Sequence, residues 1–392
     1  MNGKLLELAK EVEPDIIAWR RELHRFPEPG GQEERTAALV EAQARRLGLE
    51  ILQAGRTGRI AVLDTGRPGK TVLLRADMDA LPVPEHPENL AGKRCCISEN
   101  PGYSHACGHD AHTAMLLGAM EVLCRSRQML RGRVVFCFES DEENGTGWPR
   151  QIPILERLGI DRCFALHVWN GLEAGLVNIA DGPRMSGMVA VNAEFVGRGG
   201  HGSRPDLSVN PVFAAAAALG NLAVAAANQV DANETLTLGI TSIQGGVAFN
   251  VIPDRARVLG TMRYFKPEVG ERALVMLKNV FDHTAAIHGC TVEYDPQTRI
   301  YVEPTVNDPE TAAMARRGIP TQWQAECDRW YASETFFACL NRWPGAMGFL
   351  GIRNEAAGFG AQHHNEHFDV DESVLWRGTA CYVGFAAEVL EE

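Results

Sequence analysis

The stretch Ser104-His105-Ala106-Cys107-Gly108-His109-Asp110-Ala111-His112-Thr113 packs three histidines, a cysteine and an aspartate into ten residues. Imidazole and thiolate together suit zinc, and carboxylates from elsewhere would widen the choice to manganese, cobalt or nickel. Cys107 and His109 alternate, so an extended loop would turn both toward one ion. The competing reading is a plain helix start, with Asp110 as a first-turn acid and the histidines buried.

The flanking residues show what must position this cluster. Glu99 to Tyr103 reads as loop, and Ala114 to Leu123 as an amphipathic helix. Three further stretches bring chemistry to predicted strand ends. Thr71–Leu74 runs into Asp77 and Asp79, Arg133–Phe138 runs into Glu139, Asp141, Glu142 and Glu143 before Gly145, and Arg162–Val168 delivers His167. Carboxyl ends of strands are where open α/β sheets place their sites. Four acids in five positions repel one another unless a cation offsets them or one carboxyl is protonated. The plainer alternatives are turn acids at 77 and 79, a solvated acidic turn, and a core histidine at 167.

Leu5 to Phe26 has a helical period and is ended by Pro27–Gly31; a second helix is expected from about Glu33 to Leu47. Ile51-Leu52 and Ile60–Leu63 read as short strands. The character changes near Gly182-Pro183. An alternating strand (Val189–Val196), a Gly-rich loop with His201, an alanine-rich helix (Val212–Ala227), strands Thr235–Ile240 and Arg257–Tyr264, a helix (Val269–His288) and a strand near Thr291–Tyr294 follow. This β-α-β-β-α-β order predicts a ferredoxin-like unit. Ala248–Ile252 reads as an exposed loop, Pro344–Gly351 as a short strand, and the last helix begins near Ser373. The expected fold is α/β: a larger domain (1–184 and 302–392) with a central mixed sheet flanked by helices, and an inserted α+β domain (185–301).

With 392 residues, two domains are the expectation. The net charge of -12 argues against a nucleic-acid or anionic-membrane partner. No apolar run approaches bilayer-spanning length, and Met1-Asn2-Gly3-Lys4 leads into a charged helical pattern, not a signal core. Ten scattered cysteines without a disulfide pattern point to the cytosol.

Several motifs now fall into one order: RRELH from Arg20 with Pro27-Glu28, RADMDALP from Arg75, CGHDAHT from Cys107, Glu142-Glu143, Leu166-His167-Val168, GGHGSRP from Gly199, AFNVIPD from Ala248, and His364 with Phe368-Asp369. The set resembles the amidohydrolases of the aminoacylase/carboxypeptidase metallopeptidase superfamily, a group with N-acyl-amino-acid, indole-acetyl-amino-acid and aminobenzoyl-glutamate hydrolases. It spans nearly the whole chain.

The resemblance implies two divalent ions per subunit (Mn, Zn, Co or Ni), held by Cys107, His109, Glu143, His167 and His364. It makes Glu142 the general base that takes a proton from the attacking water and returns it to the leaving nitrogen. Adjacent residues on a regular strand face opposite ways, so the glutamate pair must sit where the strand breaks. Asp79 is expected to orient a ligand histidine. In the inserted domain, His201 resembles the family's oxyanion-stabilising histidine, Asn250 its substrate-contacting amide, and Arg263 a carboxylate-binding residue, the alternative for Arg263 being a surface strand charge. Ser333-Glu334 is given a structural role, and His105, His112 and His363 supporting or packing roles.

Departures from the family pattern are Glu139-Ser140-Asp141 before the pair, Thr146-Gly147-Trp148 after it, and His364-Asn365-Glu366-His367 where His-Ser-Pro is usual. None removes a ligand or the base, but Trp148 and His367 become candidates to line a changed pocket. The expected activity is hydrolysis of an N-acyl amino acid or related small amide by a cytoplasmic homodimer joined through the inserted domain. Another C–N bond on the same metals, a cysteine-nucleophile hydrolase using Cys107 and His109, and a non-enzymatic binding protein are the alternatives.

Overall fold

The computed structural model describes residues 3–391; Met1 and Asn2, the start of the run expected to lead into the first helix, lie outside them. The chain divides into two compact units. One holds the residues up to Gly182, Val306–Asp328 and those from Ala338 on; the other is Pro183–Thr305 with Arg329–Phe337. The inserted segment is thus a few residues longer at each end than expected, and Arg329–Phe337 belongs with it. The reason is local: Ser333 accepts from the Arg263 guanidinium at 2.7 Å, and the Ser186 hydroxyl donates to the Tyr331 carbonyl at 2.6 Å.

The first unit opens with helices α1 (Gly3–Glu11), α2 (Glu13–Arg25) and α3 (Glu34–Arg46). The single helix expected from Leu5 to Phe26 is two, because Pro14 lies in the first turn of α2 and favours a helix start there. Strands β1 (Glu50–Ala54), β2 (Gly58–Asp64) and β3 (Thr71–Asp77) follow, then α4 (His109–Arg125), β4 (Arg133–Glu139), α5 (Trp148–Leu158), β5 (Arg162–Glu173) and β6 (Val177–Asn178). With the strand Gly345–Arg353 they form one mixed sheet of seven strands, ordered β1-β2-β4-β3-β5-(345–353)-β6. β3, β4, β5 and 345–353 run parallel, while β1 and β2 form a hairpin antiparallel to β4.

Every residue of α4 from His109 to Leu123 is buried, between α2, the C-terminal helix Leu375–Glu391 and β3. A helix covered on all sides is a core element, not a surface one. Each of its buried leucines, methionines and valines is worth about 1.5–3 kcal/mol of burial, so the first turn of α4 is held firmly. The Thr113 hydroxyl adds a bond to the Asp77 carbonyl at 2.7 Å, tying that turn to the end of β3.

β3 and β5 pair only as far as Arg75 opposite Ala165. Beyond that point they part, and the hydroxyl of Tyr382 fills the gap: it accepts from the Leu166 N–H at 3.2 Å and donates to the Arg75 carbonyl at 2.9 Å. His167 therefore lies in the middle of a twelve-residue strand, not at a strand end as expected. It is still reachable, because β3 and β5 no longer pair at that level.

The second unit has strands Gly187–Val196, Leu236–Gly245, Arg255–Tyr264, Thr291–Tyr294 and Ile300–Val302, with helices Pro211–Gln229 and Pro267–Ile287. Its five-stranded sheet places Leu236–Gly245 beside Arg255–Tyr264, which is followed by Gly187–Val196 and Thr291–Tyr294. Both helices pack on this sheet over a core that includes Phe195, Met262, Tyr264, Leu277 and Phe281. One expectation is corrected here: helix Pro211–Gln229, 19 residues with mean hydropathy 1.4, is long and apolar enough by length and composition to cross a membrane. Its apolarity comes mostly from alanines, and Ala214, Ala215, Ala218 and Leu222 are buried.

Candidate metal centre

The cluster is built by one turn. Cys107 precedes Gly108, which has φ 89° and caps α4, and His109 is the first helical residue. Cys107 and His109 are thus presented by a left-handed glycine at a helix start, not by an extended loop. A Cβ on Gly108 would lie 2.4 Å from Val168 Cγ2, so only glycine fits both the turn and the contact.

The glutamate pair sits where β4 breaks, as expected. The strand stops at Glu139, Asp141 has φ 58°, and the Gly145 N–H closes a turn on the Glu142 carbonyl at 2.8 Å. The four acids do not share one space. Glu139 accepts from Arg75 Nε at 2.7 Å, Asp141 accepts from Asn144 Nδ2 at 2.6 Å, and Glu142 and Glu143 face His109. The anticipated repulsion is relieved by sending the acids in three directions.

The structure brings together all five expected ligands and Glu142. The donor atoms of Cys107, His109 and His167 lie within 4.8 Å of one another, as do those of Cys107, Glu143 and His364, and those of His109, Glu142 and Glu143. Cys107 Sγ is 3.6 Å from His167 Nε2. Glu143 Oε1 is buried without a hydrogen bond, 3.8 Å from His109 Nε2 and 3.5 Å from His364 Nε2. His364 sits at φ 62°, a strained region for a residue other than glycine.

The electrostatics ask for a cation. Burial, only partly countered by His109 and reinforced by Asp79 and Asp77, pushes the Glu143 carboxyl up to about 7. Burial pushes the Cys107 thiol well up, so its thiolate needs a nearby positive charge. Burial, with His112 and His363 close by, holds His167 well below its usual value, which leaves its Nε2 lone pair available. A buried carboxylate oxygen with no hydrogen bond, a thiol and three imidazoles are a fitting donor set for divalent transition ions. The raised thiol also argues against a free cysteine nucleophile, which requires a lowered pKa.

Asp79 does two things. Its Oδ1 is 3.2 Å from His109 Nδ1, which turns His109 Nε2 toward Glu143, and its Oδ2 accepts the Glu143 N–H at 3.0 Å. Asp77 and His112 also lie within ligand distance of His109. Both nitrogens of His112 are occupied, however: Nδ1 by Asp77 Oδ1 at 2.6 Å and Nε2 by the Val168 N–H at 2.9 Å. This group supports the site and has no donor atom to spare.

Beneath the cluster lies a buried charge network that periodicity did not reveal. Arg20, 1% exposed, donates to Asp110 at 2.9 Å and to Glu372 at 3.2 Å. His24 is held between Asp110 Oδ2, 2.7 Å from Nδ1, and Glu85 Oε1, 2.8 Å from Nε2. Two carboxylates can both accept only from an imidazolium. Burial and Arg20 oppose that charge, but the hydrogen bonds to Asp110 and Glu85 outweigh them and raise the His24 pKa. The signal was present in the sequence, since Arg20 and His24, four residues apart, share the buried helix face of Ile16 and Leu23. Of the two candidate pocket residues, His367 packs tilted against His86, ring centroids 4.3 Å apart, and donates to the Glu88 carbonyl at 3.0 Å, and Trp148 opens α5.

The second unit carries the remaining candidates. His201 Nδ1 accepts from the Ser203 N–H at 3.2 Å, which leaves its proton on Nε2. His201 pairs with Val251 in a two-stranded ribbon, so Asn250 is its close neighbour, with its carbonyl accepting from the Gly202 N–H at 2.8 Å. Arg263 is half-buried, and burial lowers its pKa. Its guanidinium donates to Ser333 and has no acid within ion-pairing distance among the described residues.

A mixed α/β sheet that collects thiol, imidazole and carboxylate donors at one edge, with an adjacent glutamate free of the strand, defines a metal-dependent hydrolase. The chain belongs to peptidase family M20/M25/M40, whose sequence profile matches residues 73–388. It is 33% identical to thermostable carboxypeptidase 1 of Saccharolobus solfataricus over 98% of both chains. It is 35% identical to an N-acyl-L-amino acid amidohydrolase of Geobacillus stearothermophilus, over 74% of this chain and 78% of that one. Among solved structures it superposes on a dinuclear metal binding peptidase of the M20 family from Bacillus subtilis with TM-score 0.83, at 26% identity and 97% and 99% coverage.

Proposed function

We propose that the protein hydrolyses the amide bond of an N-acyl amino acid or a related small amide, using two divalent ions held by Cys107, His109, Glu143, His167 and His364. The observation that carries this is Glu143 Oε1, a buried carboxylate oxygen without a hydrogen bond, set near the Nε2 atoms of His109 and His364. The relatives named as an N-acyl-L-amino acid amidohydrolase and a dinuclear peptidase support the reaction class and the ion count. When bound, the ions polarise the scissile carbonyl and acidify water. Glu142 accepts the proton of the attacking water and delivers it to the leaving nitrogen. His201, protonated on Nε2, donates to the oxyanion, and Asn250 beside it contacts the substrate amide. Arg263, a half-buried cation without an acid, receives the substrate carboxylate, a need that N-acyl amino acids and peptides share.

The inserted segment acts as a ferredoxin-like lid and dimerisation domain in this reading. Its alanine-rich helix and the edge strand Leu236–Gly245, which pairs on one side only among the described residues, form the surface for a second copy. His201 then completes the partner's site. The ten free thiols support a reducing, cytoplasmic setting.

The test is a panel of N-acyl amino acids with metal analysis of the purified protein. Activity should be lost with chelator and return with manganese, zinc, cobalt or nickel. Glu142→Gln should keep the ions and lose roughly 10²–10⁴-fold in kcat, whereas Glu143→Gln should lose metal. Mixed dimers of His201→Ala and Glu142→Gln chains should recover activity. Full activity in metal-free protein overturns the metal reading, and mixed dimers without recovery overturn supply in trans.

A further inference from the structure

We infer that His112 is a positioning residue for His167: it takes the place of the missing strand and fixes the backbone that orients the metal-facing nitrogen. The inference rests on the proposed metal site. β5 loses its ladder with β3 after Ala165, while β3 stays paired to β4 as far as Asp77. On a strand, alternate N–H groups point to the same side, so Leu166 and Val168 both present a donor to the gap. Tyr382 accepts the first at 3.2 Å, and His112 Nε2 accepts the second at 2.9 Å.

The tautomer of His112 follows from its other partner. Asp77 Oδ1, 2.6 Å from Nδ1, can only accept, so the proton is on Nδ1 and the lone pair on Nε2. Asp77 is itself fixed through Oδ2 by Arg75 at 2.8 Å. Val168 transmits the effect. Its carbonyl accepts from His167 Nδ1 at 2.6 Å and from His363 Nε2 at 3.1 Å. With His167 Nδ1 committed as a donor, its Nε2 is left as the acceptor that faces Cys107 Sγ at 3.6 Å. The chain of contacts thus runs Arg75–Asp77–His112–Val168–His167, and a change at His112 frees the peptide that sets the ring. Outer partners of ligand histidines typically govern metal affinity by 10–100-fold.

The experiment is a cobalt(II) titration of the full-length protein against a competing chelator, following thiolate-to-cobalt absorption, with unfolding of each metal-free variant as a control. His112→Gln can donate to Asp77 and accept from Val168, since amide and imidazole heteroatoms are similarly spaced. His112→Leu can do neither, and His112→Asn reaches Asp77 but not Val168, which keeps the test usable should the Leu variant not fold. The expected result is a roughly 10–100-fold weakening of one of the two equivalents in the Leu and Asn variants, with a changed thiolate band. Gln should lie within about threefold of wild type. Tyr382→Phe, which loses the neighbouring bond, should lower the unfolding midpoint and leave cobalt affinity unchanged. Wild-type affinity in both the Leu and Asn variants overturns the inference. So does loss of a whole equivalent at saturating cobalt in all three His112 variants, which would make His112 a ligand. Failure of the wild type to bind two equivalents counts against the metal site itself, a separate outcome.

Discussion

Arg20 is the most informative residue to remove from the scaffold. Its side chain is 1% exposed and lies among Asp110, Asp369 and Glu372, at 2.9, 3.5 and 3.2 Å. Arg20→Met keeps most of the volume and deletes the charge. Each acid then retains one other cation: Asp110 keeps His24, Glu372 keeps Arg21, and Asp369 keeps Arg94. Because no acid is left uncompensated, the loss falls at the low end of breaking a buried pair, about 3 kcal/mol. For a unit of this size, that lowers the unfolding midpoint by on the order of 6–12 °C. The assay is denaturant unfolding of Arg20→Met, Asp110→Asn and the double variant in metal-replete protein. The double variant should be less destabilised than the sum of the singles by at least about 1 kcal/mol, since the pair the two singles each break is then counted once. A loss below about 1 kcal/mol in Arg20→Met, or strictly additive singles, would refute the claim that this network carries a buried charge balance.

The His24 imidazolium gives a pH signature. Its folded pKa is raised, so its contribution is complete below the unfolded value of about 6.5 and is lost as pH rises through the folded value. Unfolding free energies measured from pH 6 to 9 should decline in wild type and lose that alkaline slope in His24→Gln. Asp79→Asn should weaken metal binding roughly 10–100-fold while leaving the fold intact, because it releases both His109 and the Glu143 N–H; metal analysis after dialysis against chelator checks this. Gly108→Ala combines a left-handed backbone with a 2.4 Å clash and should cost about 2–5 kcal/mol, seen as a lowered midpoint together with reduced metal content.

The sequence carried the site better than it carried the means of holding it. Cys107, His109, Glu142, Glu143, His167 and His364 were legible because each stands in a motif whose residue types suit metal chemistry, and the break after Glu139 could be deduced from two adjacent glutamates needing one side. The role of His112 could not. A histidine three residues after His109 on one helix reads equally as a ligand or as packing, and only the parting of β3 from β5 decides the matter. The division at Val12 was hidden because hydrophobic periodicity continues across it, whereas Pro14 acts on the backbone. The acids at 139–143 appeared as one repulsive group because sequence gives proximity along the chain and not direction; Arg75 and Asn144 take two of them elsewhere. The apolar length of Pro211–Gln229 was missed because alanines raise hydropathy without marking a core.

The hydroxyl that fills the gap between β3 and β5 comes from Tyr382, in the last helix of the chain. Synthesis proceeds from the amino terminus, and folding follows as segments become available. Every proposed ligand, from Cys107 to His364, leaves the ribosome before Tyr382 does. The strands that carry Arg75 and His167 therefore wait for this helix before the gap between them is bridged. A nascent chain should gain its full resistance to proteolysis only once Leu375–Glu391 has cleared the exit tunnel, which limited proteolysis of stalled complexes with short and long carboxyl-terminal extensions would reveal.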